Sequence, residues 1–387
     1  MIIIFCFLGI IAGIIAGLTP GLHANNIAII ALTSPFFGED FAAFILSMCI
    51  VQTFVDFVPT IFLGAPDTET FEGVLPGHAM LLEGKGMEAI CLTVFGGIIA
   101  ITFSTLLIPF FFIFITQNSE AIVTATPPVL AFAILIFVLS EETRNKKIAA
   151  IFTIICAGTQ GLLFRNQIFP LITGYFGIPT IAYALQKQTC QKIQSKEVKI
   201  EKTGLREGIW GVIGGSIVAL LPGIGSNVAA RIIRTFTTKI KRTNYLVLIG
   251  SANTSNFFFS YIVLFALSKA RNGAMIVLKE KIFFTNYALL LGTIIMIFAG
   301  GIGGMATIFL AKSAIGFFNE KRTQILSIFT LALMIILVGF FNGPSGLIAL
   351  VFSSALGFFV IFKKIKRSSC MASIIIPAML FYTFTLI

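Results

Sequence analysis

Two short stretches hold most of the side chains in this sequence that could do chemistry. Leu18-Thr19-Pro20-Gly21-Leu22-His23-Ala24-Asn25-Asn26 sets two helix breakers and four hydrogen-bonding side chains inside an apolar run. About two hundred residues later the device returns as Leu221-Pro222-Gly223-Ile224-Gly225-Ser226-Asn227. In hydrocarbon a free backbone N–H or C=O costs several kcal/mol, so broken helix at membrane depth survives only when buried in protein or lining a wet cavity. Each break would expose the N-terminus of a half-helix, with its free N–H groups and about half a positive charge. That chemistry suits an anion and needs no buried lysine. Thr19, Asn25, Asn26, Ser226 and Asn227 would add neutral donors, and Gly21, Gly223 and Gly225 would let the backbone approach closely. Asn253 and Asn256, set among aromatic residues, join the candidate substrate contacts with Pro20, Pro222 and His23. Free carbonyls at the breaks, with Asp56 or Asp67, offer oxygen ligands to Na+ as coupling ion. His23 offers a proton-coupled alternative, since imidazole titrates near neutrality.

These residues must be positioned by membrane-spanning helices. The 387 residues are 57% hydrophobic and only 11% charged, with a mean hydropathy of +1.01, far from the roughly 25% charged content of soluble domains. A span takes about 20 apolar residues, which leaves room for about ten to twelve crossings. Long Ile/Leu/Phe runs replace the alternation that a β-barrel needs, so the expected class is an all-α polytopic membrane protein. The net charge of +11 sits in short loops, as topogenic signals do, and argues for no nucleic-acid partner. The six cysteines are scattered without a CxxC pair, so packing is expected of them and neither a disulfide framework nor a metal site is readable. Residues 1–17 lack the basic n-region of a signal peptide and read as a retained first helix. Gly9, Gly13 and Gly17 leave one face bare for a close neighbour.

Along the chain, Phe41 to Gly64 reads as a span that contains Asp56. A carboxylate there marks a functional site or caps a local break beside Pro59. The segment from Asp67 to Leu75-Pro76-Gly77-His78 reads as a polar hairpin returning toward the first break. Spans follow at 90–115, 128–139, 148–163 and 168–185. The lysine-rich stretch 186–208 reads as a cytoplasmic linker between a first transmembrane repeat, 1–185, and a second, 209–387, within one integrated membrane domain.

The repeat rests on an offset of 202. It sets Gly9 on Gly211, Gly13 on Gly215, Leu18 on Leu220, Pro20 on Pro222, Gly21 on Gly223 and Asn25 on Asn227. Further on, Gly158 to Leu163 resembles Gly343 to Ile348 at a different offset. No lysine or arginine precedes Lys85, while the linker and the stretch Lys363 to Arg367 are basic. With both basic segments cytoplasmic, both termini lie outside the cell membrane, each repeat crosses an odd number of times, and the repeats are inverted. Inverted repeats bring their broken helices together near the midplane. Arg231 and Arg234, three apart on the second half-helix, suit either anion contacts or cytoplasmic anchors. The anchor reading is preferred because the matching positions, Ile29 and Leu32, are apolar.

With these motifs in view, the chain resembles the large membrane subunit of tripartite tricarboxylate transporters, the TctA family, and especially its compact archaeal members. The resemblance covers essentially the whole chain. It is carried by Gly13 to Asn26, by Gly64-Ala65-Pro66, by Leu75-Pro76-Gly77-His78, by Gly84-Lys85-Gly86-Met87-Glu88-Ala89, and by Leu221 to Asn227 with the Asn253/Asn256 segment. It implies secondary transport of di- or tricarboxylates driven by a cation gradient, as in a symporter, with the two Pro-Gly loops forming the substrate site and no organic cofactor. It also implies a small membrane subunit and an extracellular binding protein as partners, although the compact loops argue against dependence on them; a homo-oligomer stays open.

Two other classes stand beside carboxylate transport. Paired half-helix N-termini would equally receive a polyprenyl-phosphate or other lipid-phosphate headgroup, and a groove open to lipid, lined by Arg231 or Arg165, would favour that translocase. An enzyme is not expected, because no HExxH or GxSxG stretch occurs.

Overall fold

The computed structural model describes the chain except residues 20–23, 25–26, 29–30, 32–33, 65–70, 187–203, 222–224, 238–239, 318–319 and 387. Every described element is helical. Among the described residues, eight helices are long and apolar enough to cross a membrane, and Ile2–Leu18 and Ile168–Tyr183 are shorter apolar helices. The chain is an all-α, multi-pass membrane protein. In order it forms α1 (Ile2–Leu18), α2 (Gly38–Val55), α3 (Phe57–Phe62), α4 (Phe71–Leu82), α5 (Gly86–Gln117), α6 (Ser119–Leu139) and α7 (Arg144–Leu163). Then come α8 (Ile168–Ile172), a π-helical turn Thr173–Gly177, α9 (Ile178–Gln186), α10 (Leu205–Leu220), α11 (Ser226–Phe236) and α12 (Arg242–Leu267). The rest is α13 (Gly273–Lys281), α14 (Asn286–Phe317), α15 (Glu320–Phe362), a 3-10 turn Arg367–Met371 and α16 (Ala372–Leu386).

Lipid tails are as apolar as leucine, so helices in a bilayer associate through close packing at small residues. α1 shows this on α2. A Cβ at Gly9 would meet Phe44 and Ser47, one at Gly13 would meet Met48 and Val51, and one at Gly17 would meet Val55 and the Asp56 backbone. Residue numbers climb together on both helices, so α1 and α2 run parallel. The chain between them must double back, and Phe36 does return to Phe5 at the start of α1, with ring centroids 4.8 Å apart. α10 repeats the pattern on α12: Gly211 meets Leu248 and Ser251, and Gly215 meets Ala252, Ser255 and Asn256. α11 again runs back, since the Arg234 guanidinium lies 4.6 Å from the ring centre of Tyr245 at the start of α12. α1 therefore ends at Leu18, level with Val55 of α2, and α10 ends at Leu220, beyond its Gly215 contact with α12.

α2 and α12 form the centre. Over 90% of each bilayer-length window is buried, against 22% for α5. They run antiparallel: Leu46 meets Tyr261 beside Gly292, Thr53 meets Thr254, and Asp56 meets Asn253. α14 lies along α2 through Gly300, Gly303 and Gly304, and α5 lies along α12 through Gly96 and the ring pair Phe111–Phe259. Each central helix is thus clasped by a long helix from the opposite half of the sequence. A second apolar cluster joins α6, α7, α8 and the π-helical turn with the end of α10, α11, the C-terminal part of α15 and α16. The free cysteines Cys6, Cys49, Cys91, Cys156 and Cys370 are all buried or half-buried among these helices.

Several boundaries depart from the sequence reading. Leu75 to His78 lies within α4 and is no hairpin loop. Proline's fixed φ is compatible with helix, and Pro76 forfeits only one backbone bond, while bare Gly77 lets Ile61 of α3 approach. Pro127 and Pro128 lie inside α6 and do not open it. The match of Gly158 with Gly343 fails: Gly343 takes φ +61°, ψ −158° and interrupts α15, whereas Gly158 is helical. Most of the proposed linker lies outside the described residues, and α10 begins at Leu205.

Candidate functional site

The site is built where α2 ends. Pro59 has no N–H, so the Val55 carbonyl four residues earlier loses its helical donor, and the helix breaks at Asp56. The break is shallow. Asp56 keeps φ −62°, ψ −18°, the Thr60 hydroxyl donates to the Asp56 carbonyl at 2.7 Å, and α3 continues. The carboxylate is 5% exposed. Its Oδ2 accepts from Asn253 Nδ2 at 3.3 Å, and the same amide nitrogen donates to the Thr53 carbonyl at 3.2 Å. Two oxygen acceptors on one amide nitrogen fix which way the Asn253 side chain points.

One turn away the hydroxyls of Thr53 and Thr254 meet at 3.1 Å. Thr53 Oγ1 donates to the Ile50 carbonyl at 2.8 Å, so Thr254 supplies the proton between the two. Gln52, 4% exposed, accepts the backbone N–H of Ala24 at 2.8 Å. It thereby ties the segment beyond the first break to α2. Three of these residues, Gln52, Thr53 and Thr254, were missed from the sequence. The readable signal was a polar side chain amid an apolar span, the signal that did single out Asp56.

Of the residues expected at the breaks, Thr19 ends α1 with extended backbone, φ −99°, ψ 99°. Gly225 is the extended residue before α11, φ −93°, ψ 170°, and its carbonyl accepts from Val228 N at 3.0 Å. Ser226 and Asn227, in the first turn of α11, are fully buried. Pro20, Gly21, His23, Asn25, Asn26, Asp67, Pro222 and Gly223 lie outside the described residues. Asn253 joins Asp56, whereas Asn256, three residues on, is half-buried. The contact register explains the split. α2 and α12 align at an offset of 204, Ser47 and Val51 standing where Ser251 and Ser255 stand. Asn256 is therefore the counterpart of Gln52, and Asp56 the counterpart of Ser260.

His78 is held by the fold, its Nδ1 lying 3.0 Å from the Ile61 carbonyl. At the far ends of these helices Lys281 closes the first hairpin: Nζ donates to the Ser34 carbonyl at 2.9 Å and stands 3.8 Å from the ring centre of Phe37. The two arginines of α11 part company. Arg234 is exposed beside Tyr245, as an anchor would be, but Arg231 is buried, which the anchor reading does not anticipate.

The polar side chains of Asp56, Asn253, Thr53 and Thr254 thus meet at one junction between two antiparallel central helices. Residues 3–372 match the tripartite tricarboxylate transporter TctA family. The chain belongs to this family. It is thus a membrane transporter component of the tripartite tricarboxylate type. An uncharacterized protein of Methanocaldococcus jannaschii, MJ1079, is 26% identical over 395 residues, with 98% of each chain covered. No solved structure gives a significant match to the TctA chain.

Proposed function

We propose that this chain is a secondary active transporter of di- and tricarboxylates, coupled to a Na+ or H+ gradient. In this reading residues 1–185 and 209–387 are inverted repeats joined by a cytoplasmic linker at 186–208, both termini lie outside, and one repeat moves against the other around the paired tips. The observation that carries it is the joint between α2 and α12, where Asn253 bridges the Thr53 carbonyl and Asp56. Parallel pairs α1/α2 and α10/α12, mutually antiparallel, send one hairpin in from each side of the membrane. A substrate between the tips would exchange its hydration for the N–H groups of two half-helices, with Thr19, Asn25, Asn26, Ser226 and Asn227 as further donors. Asp56, with the Thr53 carbonyl and the two threonine hydroxyls, offers the oxygen ligands that a hard cation takes. His23 and Asp67 are the other coupling candidates.

The joint is enclosed by protein, which favours a soluble carboxylate over a lipid-linked phosphate. A small membrane subunit and an extracellular binding protein are the partners that tripartite systems use, and the chain's short loops leave little of it to dock them. The test is uptake of labelled citrate and succinate into proteoliposomes under an imposed Na+ or H+ gradient, with Asn227→Ala as control. Gradient-dependent uptake lost in the variant is expected. An absence of carboxylate uptake under either gradient, with a correctly folded protein, overturns the proposal.

A further inference from the structure

Arg231 is 9% exposed. Its Nε is buried without a hydrogen-bond partner, and among the described residues the guanidinium makes no hydrogen bond or ion pair. A buried charge without a partner is costly, and in a membrane it marks a functional position. Arg231 also stands four residues after Asn227, on the same face of α11. The first half has nothing comparable, since Ile29 occupies the matching place.

We infer that Arg231 is the fixed cation that holds one carboxylate of the substrate while the N-terminal turn of α11 holds another. The backbones of Asn227 and Arg231 stand about 6 Å apart along the helix axis, a spacing on the scale of a four- to six-carbon acid with two or more carboxylates. A monocarboxylate satisfies only one of the two contacts. The site is one-sided, since the matching sequence position Ile29 carries no guanidinium, whose planar fork pairs bidentately with a carboxylate. The inference rests on the carboxylate reading for its choice of ligand, though not for Arg231's need of an anion.

The experiment is thermal unfolding of the purified full-length protein in detergent, with acetate, succinate, citrate and inorganic phosphate as probes. Wild type, Arg231→Met, Arg231→Lys and Arg234→Met are compared. Succinate and citrate are expected to raise the melting temperature of wild type and Arg234→Met, with acetate doing little. Arg231→Met should lose the response and, without ligand, melt no lower than wild type, because it removes an unpaired charge. Arg231→Lys keeps charge without the fork and should need about 10- to 100-fold more ligand; it decides the matter should the methionine variant misfold. Equal responses of wild type and Arg231→Met to succinate overturn the inference and leave the proposed transport standing. A shift with phosphate alone, lost in Arg231→Met, supports Arg231 as an oxyanion contact and overturns the carboxylate reading. A wild type that responds to none of the four anions overturns the inference.

Discussion

A methyl group added at Gly211 tests the helix packing that positions the second tip. The new Cβ would stand 2.6 Å from the Leu248 carbonyl oxygen, 2.7 Å from Ser251 Cβ and 3.0 Å from Ala252 N. All three atoms belong to the α12 backbone or are fixed directly to it, so no rotamer change relieves the clash. Ordinary contact begins near 3.4 Å, so α10 must retreat by about 0.8 Å. Overpacking of this kind costs about 1–3 kcal/mol. Gly301, on α14, supplies the control: it too is helical, and a Cβ there meets nothing within 4 Å. Alanine gains about 1 kcal/mol over glycine in either helix interior, so that gain cancels in the comparison. Gly211→Ala should therefore be less stable than Gly301→Ala by about 1–3 kcal/mol, read as a lower unfolding midpoint in detergent. A displacement approaching 1 Å at a binding tip costs up to about 100-fold in rate by analogy with misplaced catalytic groups, so uptake should fall further than stability. Equal midpoints for the two variants would refute the close contact, and with it the fixed depth of the second tip.

Asp56→Asn keeps an oxygen facing Asn253 Nδ2 and should fold with near wild-type stability while uptake loses its dependence on the driving cation; retained cation dependence in a flux assay would remove Asp56 from coupling. Gln52→Leu deprives the Ala24 N–H of its acceptor and should cost about 1–3 kcal/mol, with faster amide exchange at Ala24, whereas Gln52→Glu should keep protection there. Thr53→Val and Thr254→Val should each destabilise, and the double variant should fall short of their sum by about 0.5–1.5 kcal/mol; a double-mutant cycle in detergent measures it, and strict additivity would deny the contact. Lys281→Met loses the bond to the Ser34 carbonyl and the Phe37 contact, about 1–3 kcal/mol together, and proteolysis around residues 34–37 should become faster.

Class and helix content were legible because each follows from local composition: a long apolar run must be helical in lipid, whereas Pro-Gly alone did not fix where helices stop, since Pro76-Gly77 lies inside α4. The bare faces of α1 and α10 were legible from glycine spacing alone. What stayed hidden is the relation between helices distant in sequence. The glycine contacts of α1 and α10 correspond at an offset of 202, yet the residues they meet on α2 and α12 align at 204, and a slip of two residues turns a helix face by about 200°. That slip moved Asn256 away from Asp56 and made it the counterpart of Gln52. Arg231 shows the same limit in the opposite sense. Its apolar match in the first half argued for an anchor, because a repeat suggests that paired positions share a role. A substrate such as citrate, however, lacks two-fold symmetry, and a site at the junction of two similar halves must break their symmetry somewhere to hold such a molecule in one orientation. A polar residue present in one repeat and absent from the other is therefore a stronger sign of substrate contact than a matched pair, and Asp56, facing Asn253 with serine as its own counterpart, follows the same rule.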